Sequence, residues 1–100
     1  MAKLENDYKP KLLERIEARF PGCLILKNDE QLRAGIPDML VLIGPYWAML
    51  EVKRSKDELK HLRPNQAHYV QWLNGMGFSA FIYPENEAEV LDAIQDAFGA

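Results

Sequence analysis

The sequence predicts one α/β domain whose elements follow the order αβββαβα. Apolar residues recur at helical spacing near both ends of the chain, and four short apolar runs typical of strands lie between them. A length of 100 residues, with 48% hydrophobic and 27% charged residues, is typical of a globular chain with one modest core. We therefore expect residues 1–100 to form a single domain.

The first element is an amphipathic helix that ends near Phe20. Its apolar stripe consists of Leu4, Tyr8, Leu12, Leu13, Ile16 and Phe20. The helix ends there because Pro21-Gly22 breaks the pattern. Pro10 is tolerated in a first turn but not deep inside a helix, so the helix is expected to begin near Asn6 or Asp7.

Three strands are expected to follow this helix. Residues 23–27 form a short apolar run, and a polar connection separates them from a second run at 39–43. A third run covers residues 47–53, directly after Gly44-Pro45-Tyr46. A break this short between two strand-like runs predicts an antiparallel hairpin.

The hairpin brings three charged residues together inside apolar sequence. A turn centred between Gly44 and Pro45 pairs residues whose numbers sum to 89, which places Asp38 opposite Glu51. Their Cβ atoms are then about 4.5–5.5 Å apart. The strand period of two directs Lys53 to the same face as Glu51.

Ionised groups are costly to remove from water, so Asp38, Glu51 and Lys53 need partners in such surroundings. Two adjacent carboxylates repel each other unless a cation separates them, and carboxylate oxygens suit Mg²⁺ or Mn²⁺. This spacing is typical of metal-assisted phosphodiester cleavage. From charge spacing alone, a structural salt bridge of Lys53 with either acid is an equal alternative.

The second half of the chain predicts a helix, a strand and a final helix. The first of these helices begins at about Pro64 and runs to Asn74, with Gly75 and Gly77 as termination signals. Residues 78–83 then form a strand.

The final helix is expected to begin with an N-cap pair, Asn86 followed three residues later by Glu89. Its apolar stripe consists of Val90, Leu91, Ile94 and Phe98.

Basic charge is concentrated directly after the charged strand. The net charge of −3 argues against a generic, highly basic nucleic-acid binder. Residues 53–63 nevertheless hold five basic residues against two acids, whereas residues 85–100 hold five acids and no Lys or Arg. The charge pattern alone is more typical of a solvated loop, whereas the position of the segment beside Glu51 and Lys53 favours a role in holding phosphates. The candidate DNA-binding residues are Arg54, Lys56, Lys60 and Arg63.

A family resemblance becomes visible at this point. Gly35-Ile36-Pro37-Asp38 is followed 13 residues after the aspartate by Glu51-Val52-Lys53, and Gln66 follows 13 residues after the lysine in the next helix. This combination resembles the PD-(D/E)XK nuclease superfamily, and within it the VRR-NUC group of small nuclease domains found in phage and bacterial proteins and in larger repair nucleases. The resemblance implies a restriction-endonuclease-like core with a central mixed sheet flanked by helices.

The resemblance also implies roles for individual residues. Asp38 and Glu51 would ligate Mg²⁺ or Mn²⁺, with the backbone carbonyl of Val52 as a further ligand. Lys53 would position the attacking water, and Gln66 would support the site from its helix. The family pattern includes an acid in the first helix, for which Glu5 is the best match and Glu14 competes.

The function implied by the resemblance is a metal-dependent DNA endonuclease. The chain resembles members that consist of this domain alone, and this resemblance implies a homodimer that cuts branched DNA such as four-way (Holliday) junctions. A twofold dimer suits that task because it presents two matching sites. The alternative is a non-catalytic DNA-binding or assembly module that keeps the fold, which the negative net charge favours.

The setting is expected to be cytoplasmic, with no membrane partner. No apolar run approaches the roughly 18 residues of a membrane span, and the start of the chain lacks the apolar centre of a secretory signal. The single cysteine, Cys23, excludes a disulfide within the chain. Its apolar neighbours favour a buried hydrophobe over a reactive thiol.

Overall fold

The computed structural model describes the backbone of residues 4–99 and the side chains of residues 7–99. The predicted order αβββαβα is confirmed, with one short 3₁₀ helix added between the third strand and the second long helix. The elements are α1 (Leu4–Arg19), β1 (Leu24–Lys27), β2 (Met39–Ile43), β3 (Tyr46–Val52), the 3₁₀ helix (Lys56–His61), α2 (Gln66–Met76), β4 (Phe78–Ile82) and α3 (Glu87–Phe98).

The four strands form one mixed sheet in the order β1-β2-β3-β4. Strands β1, β2 and β3 are antiparallel neighbours, whereas β4 runs parallel to β3. A parallel pair needs a long crossover connection, and the segment containing α2 supplies it. The expected mixed sheet flanked by helices is therefore present.

The main core lies between one face of the sheet and the helices α1 and α3. Strand alternation turns Met39, Val41, Ala48, Leu50 and Val52 to this face, where all five are buried. The helices contribute the buried residues Tyr8, Leu12, Ile16, Val90, Leu91 and Ile94, and Phe20, directly after α1, joins them.

The opposite face of the sheet carries Glu51 and is covered in part by α2. Gln66, the first residue of α2, is the only buried residue of that helix. No helix in the described part of the chain is long and apolar enough to cross a membrane.

Several predicted boundaries and caps were wrong. Helix α1 begins at Leu4 rather than near Asn6 or Asp7, so Pro10 lies inside the helix. Pro10 has no backbone N–H, so the helix loses the hydrogen bond to the carbonyl four residues earlier. Burial of Tyr8 and Leu12 holds this part of the helix against the core and so offsets the loss.

The predicted N-cap pair of α3 was also wrong. Asn86 is at the N-cap position, but its side chain makes no cap hydrogen bond. Its Oδ1 instead accepts a bond from the Tyr83 backbone N–H at 2.8 Å, and its Nδ2 donates to the Phe81 carbonyl at 3.0 Å. The side chain thus fixes the turn between β4 and α3, which leaves it unable to pair with the N–H of Glu89.

The end of α2 is set by Gly77 and not by Gly75, which is still helical. The Gly77 N–H donates to the Leu73 carbonyl at 3.0 Å. A Cβ atom at Gly77 would lie 2.6 Å from the ring of Trp47. The absence of a side chain therefore lets the chain turn tightly against Trp47 before β4 begins.

The glycine that opens the Gly-x-Pro-Asp segment packs against the start of α2. Gly35 has a φ of +92°, and a Cβ atom there would lie 2.8 Å from the Asn65 Cβ and 3.1 Å from the Pro64 carbonyl oxygen. Asn65 itself has a φ of 76°. A left-handed glycine thus allows the loop before β2 to contact the segment that carries Gln66.

We expect Gly35→Ala to lower the free energy of unfolding by more than Gly22→Ala does. Gly22 has a similar φ of +87° but nothing within 4 Å of a Cβ atom. Gly22→Ala therefore reports the cost of the left-handed backbone alone, about 1–2 kcal/mol. Gly35→Ala adds the steric cost against Asn65, about 1–3 kcal/mol more. Urea unfolding measures both variants, and equal losses would contradict the proposed contact.

Candidate active site

The predicted hairpin register is confirmed. Met39 pairs with Leu50 and Leu40 with Met49, so paired numbers sum to 89. One step further, Asp38 lies just before β2 and level with Glu51. The Asp38 Oδ1 accepts a hydrogen bond from the Val52 backbone N–H at 3.2 Å. The aspartate side chain is therefore held against the end of β3, next to Glu51.

Asp38 is positioned by a residue that sequence analysis missed. The Asn28 backbone N–H donates to the Asp38 carbonyl at 2.9 Å, and the Asn28 Nδ2 donates to the Pro37 carbonyl at 2.8 Å. Asn28 directly follows β1 and was assigned to a polar connection. It anchors the Pro37-Asp38 backbone at the end of the sheet.

The Glu51 carboxylate is almost completely buried. The residue is 5% exposed, and its Oε2 accepts a hydrogen bond from the Gln66 Nε2 at 3.2 Å. The same oxygen lies 3.6 Å from the Lys53 Nζ. The other oxygen, Oε1, is buried and has no hydrogen-bond partner within the described part of the molecule. An unpartnered buried carboxylate oxygen is unusual and calls for a cation or donor.

Gln66 connects Glu51 of β3 with Lys53, the residue directly after β3. Its Oε1 accepts hydrogen bonds from the Lys53 Nζ at 3.3 Å and from the Arg63 backbone N–H at 2.9 Å. At 3% exposure it is buried, and not the exposed polar residue that its position near a helix start would otherwise suggest. The structure thus brings Glu51, Lys53 and Gln66 into one hydrogen-bonded group.

The pKa of Glu51 is raised from its ordinary value of 4.5 to about 7, and burial is the largest cause. The negative charge of Asp38 contributes to this rise, and the positive charge of Lys53 opposes it. The site therefore disfavours two ionised carboxylates unless positive charge is added.

Lys9 of α1 is a second cation at this site that sequence analysis missed. Its Nζ donates a hydrogen bond to the Asp38 Oδ2 at 2.7 Å. The Asp38 side chain is 11% exposed and that of Lys9 is 36% exposed. Lys9 lies one helical turn after Glu5, so the periodicity that favours Glu5 as an inward residue also selects Lys9.

The first-helix acid has no described position at the site. The side chain of Glu5 lies outside the described side chains, and Glu14 is exposed on α1. Among the described residues, no group of three or more His, Cys, Asp or Glu side chains is arranged to hold a metal ion. The candidate ligands that can be located are therefore Asp38, Glu51 and the Val52 carbonyl.

These donors suit a small divalent cation. The backbone N–H of Val52 points toward Asp38. In a strand, the N–H and C=O of one residue point to the same neighbouring strand, so the Val52 carbonyl oxygen also points to this side. Mg²⁺ is bound by one or two carboxylates and keeps several waters, so two acids and one carbonyl are an adequate set. The unpartnered Oε1 of Glu51 is the observation that fits this role best.

The candidate DNA-binding residues are exposed and lie beyond β3, in or beside the 3₁₀ helix. The sequence predicted no helix for this segment. The Arg54 guanidinium pairs with Glu58 at 2.7 Å, and Arg63 lies 3.7 Å from Glu30. Lys60 lies 3.6 Å from Asp57. Exposed ion pairs of this kind contribute about 0–1 kcal/mol, so phosphate groups can replace the acids at little cost. Lys56 is also exposed.

We expect Glu51→Gln to stabilise the metal-free protein at pH 8 but not at pH 5. A carboxyl whose pKa is raised by folding contributes stability that is complete below about pH 4.5 and lost as pH rises through about 7. Replacing it by an uncharged amide should raise the free energy of unfolding by up to about 3 kcal/mol at pH 8. Urea unfolding in a chelator measures this gain at both pH values.

Glu14→Gln is the matched control because Glu14 is an exposed carboxyl on α1. Its effect should be small and similar at the two pH values. A Glu51→Gln gain that does not grow between pH 5 and pH 8 would contradict the raised pKa.

Comparisons with known proteins bear on the fold. No protein-family model and no curated protein matches the sequence. The chain is similar to a solved structure titled "VRR_NUC domain", with a TM-score of 0.68 and 24% sequence identity. The similarity covers 97% of this chain and 99% of that one. The chain therefore has the fold of a VRR_NUC domain, with a mixed four-stranded sheet consistent with a PD-(D/E)XK core.

Proposed function

We propose that this protein is a Mg²⁺- or Mn²⁺-dependent DNA endonuclease that hydrolyses phosphodiester bonds. The observation that carries the proposal is the position of Asp38 beside a buried Glu51, whose Oε1 has no partner among the described residues. Lys53 and Gln66 surround the other oxygen of the same carboxylate. The fold of a VRR_NUC domain supports the same reading.

In this proposal each residue has a defined task. Asp38, Glu51 and the Val52 carbonyl hold the divalent cation. When bound, the cation polarises a phosphate oxygen and makes a water easier to deprotonate. Lys53 holds the attacking water and offsets the negative charge that develops on the phosphate. The side-chain amide of Gln66 holds both groups in place: its Oε1 accepts a hydrogen bond from the Lys53 ammonium, and its Nε2 donates one to the Glu51 carboxylate.

The substrate we propose is branched DNA, cut by a homodimer acting in the cytoplasm. Resolving a four-way junction requires two cuts in related strands, and a twofold dimer presents two matching sites. A pair of subunits also enlarges the limited footprint of a 100-residue chain. The exposed residues Arg54, Lys56, Lys60 and Arg63 would hold the phosphates that flank the cut.

The alternative is a non-catalytic DNA-binding or assembly module. The net charge of −3 is the observation that favours it. A divalent cation separates the two proposals because only the endonuclease requires one. Mn²⁺ should raise the melting temperature of the intact protein but not that of Asp38→Ala, by ligand linkage.

We expect Asp38→Asn, Glu51→Gln and Lys53→Met each to lower the cleavage rate at least about a hundredfold, because each removes one charge from the reacting centre. These near-isosteric variants should still unfold cooperatively. The assay compares duplex, nicked, flapped, single-stranded and four-way DNA on one gel, each with Mg²⁺, Mn²⁺ or a chelator.

Glu14→Gln and Lys11→Met are matched controls, since both residues are exposed on α1. They should cleave at the parent rate. Cleavage that persists in any of the three site variants, or in the chelator, would count against the proposal. Paired cuts in opposing strands of the four-way DNA would support the homodimer, whereas unpaired nicks would argue against it.

We expect Arg54→Ala, Lys56→Ala, Lys60→Ala and Arg63→Ala to weaken DNA binding and to flatten its salt dependence. Each lost phosphate contact should reduce the slope of log affinity against log salt by about 0.9. Fluorescence anisotropy in a chelator measures binding without cutting, with Lys11→Ala as the control. An unchanged slope in all four variants would show that this segment does not contact the phosphates.

A further inference from the structure

We propose that Lys9 is a movable counter-ion of the metal site: its ammonium holds Asp38 in the metal-free protein and shifts to a DNA phosphate when a divalent cation takes that carboxylate. This inference rests on the proposed function and deepens it. It assigns to α1 a residue that the sequence motif does not include.

Lys9 is bonded directly to a proposed metal ligand. The 2.7 Å bond joins the Lys9 Nζ to Asp38 Oδ2, whereas Oδ1 accepts the Val52 N–H. Both oxygens of Asp38 therefore already have one partner. A cation that binds Asp38 is repelled by the ammonium at Oδ2, so loss of this ammonium favours cation binding.

Charge at the site favours a movement of Lys9. Among the described residues, two carboxylates, Asp38 and Glu51, face two ammonium groups, Lys9 and Lys53. A divalent cation would add two positive charges to this partly buried group. Release of Lys9 from Asp38 and its approach to a negatively charged phosphate would offset part of the added charge.

The ion pair of Lys9 and Asp38 lies beside an open space. Lys9 and Asp38 line a cavity of about 260 Å³ together with Lys27, and the remaining lining residues are Leu13, Ile25, Leu26 and Met39. Lys9 is 36% exposed and has a long flexible stem, so its ammonium can leave Asp38 without unfolding α1. A phosphate at the mouth of this cavity would meet both lysines.

The first experiment measures Mn²⁺ binding by calorimetry without DNA. Lys9→Met removes the competing ammonium and keeps the length of the side chain, so we expect about tenfold tighter binding than in the parent protein. Lys27→Met is the matched control because Lys27 lines the same cavity but is not bonded to Asp38. Its affinity should stay within about twofold of the parent.

Each result decides something. Tighter binding in Lys9→Met alone supports the inference. Equal effects in the two variants, or no change in Lys9→Met, overturn the inference and leave the proposed endonuclease standing. If Mn²⁺ binds neither the parent protein nor the variants, both the inference and the proposed endonuclease are overturned.

If Lys9→Met does not unfold cooperatively, Lys9→Arg takes its place. This variant should bind Mn²⁺ more weakly than the parent, because a guanidinium can hold both carboxylate oxygens. Parent-like affinity in that variant overturns the inference.

The second experiment tests the movement of Lys9 to the phosphate. The salt dependence of DNA binding is compared in a chelator and in Ca²⁺, using DNA that is recovered uncut. Lys9→Met should reduce the slope by about 0.9 in Ca²⁺ and leave it unchanged in the chelator, where Lys9 is held by Asp38. An equal reduction in both conditions, or none in Ca²⁺, overturns the movement.

Discussion

The structure depends on one costly arrangement, a buried glutamate beside an aspartate at the end of the central strands. Water cannot solvate the Glu51 carboxylate, so the protein must supply its partners. It supplies an amide from α2 and the ammonium of Lys53, which directly follows β3. Asp38 receives a second ammonium, from α1. Residues from three separate parts of the fold thus converge on two adjacent acids.

This arrangement links the stability of the fold to its chemistry. Burial raises the pKa of Glu51, so the ionised carboxylate is costly in the metal-free protein, and Lys9 and Lys53 offset part of that cost. In the endonuclease that we propose, the same burial would favour the binding of a divalent cation by this carboxylate. Proteins commonly retain such destabilising groups only where they are used.

The surrounding fold limits how far these side chains can move. Asn28 fixes the backbone before β2, and Gly35 lets that loop pack against Asn65 at the start of α2. Helix α2 also packs along β4, but its one buried residue is Gln66 at its start. The loop contact at Gly35 lies directly beside that residue, so it bears on the position of Gln66.

The sequence alone determined the order of the elements and the juxtaposition of Asp38, Glu51 and Lys53. These features depend on local rules: the strand period of two and a short turn whose centre sets the register. Burial of Gln66, the anchor at Asn28 and the ion pair of Lys9 with Asp38, which spans 29 positions of the chain, were decided only by the tertiary structure. Such contacts depend on how helices lie across the sheet, and no local periodicity encodes the distance between two elements that meet in space.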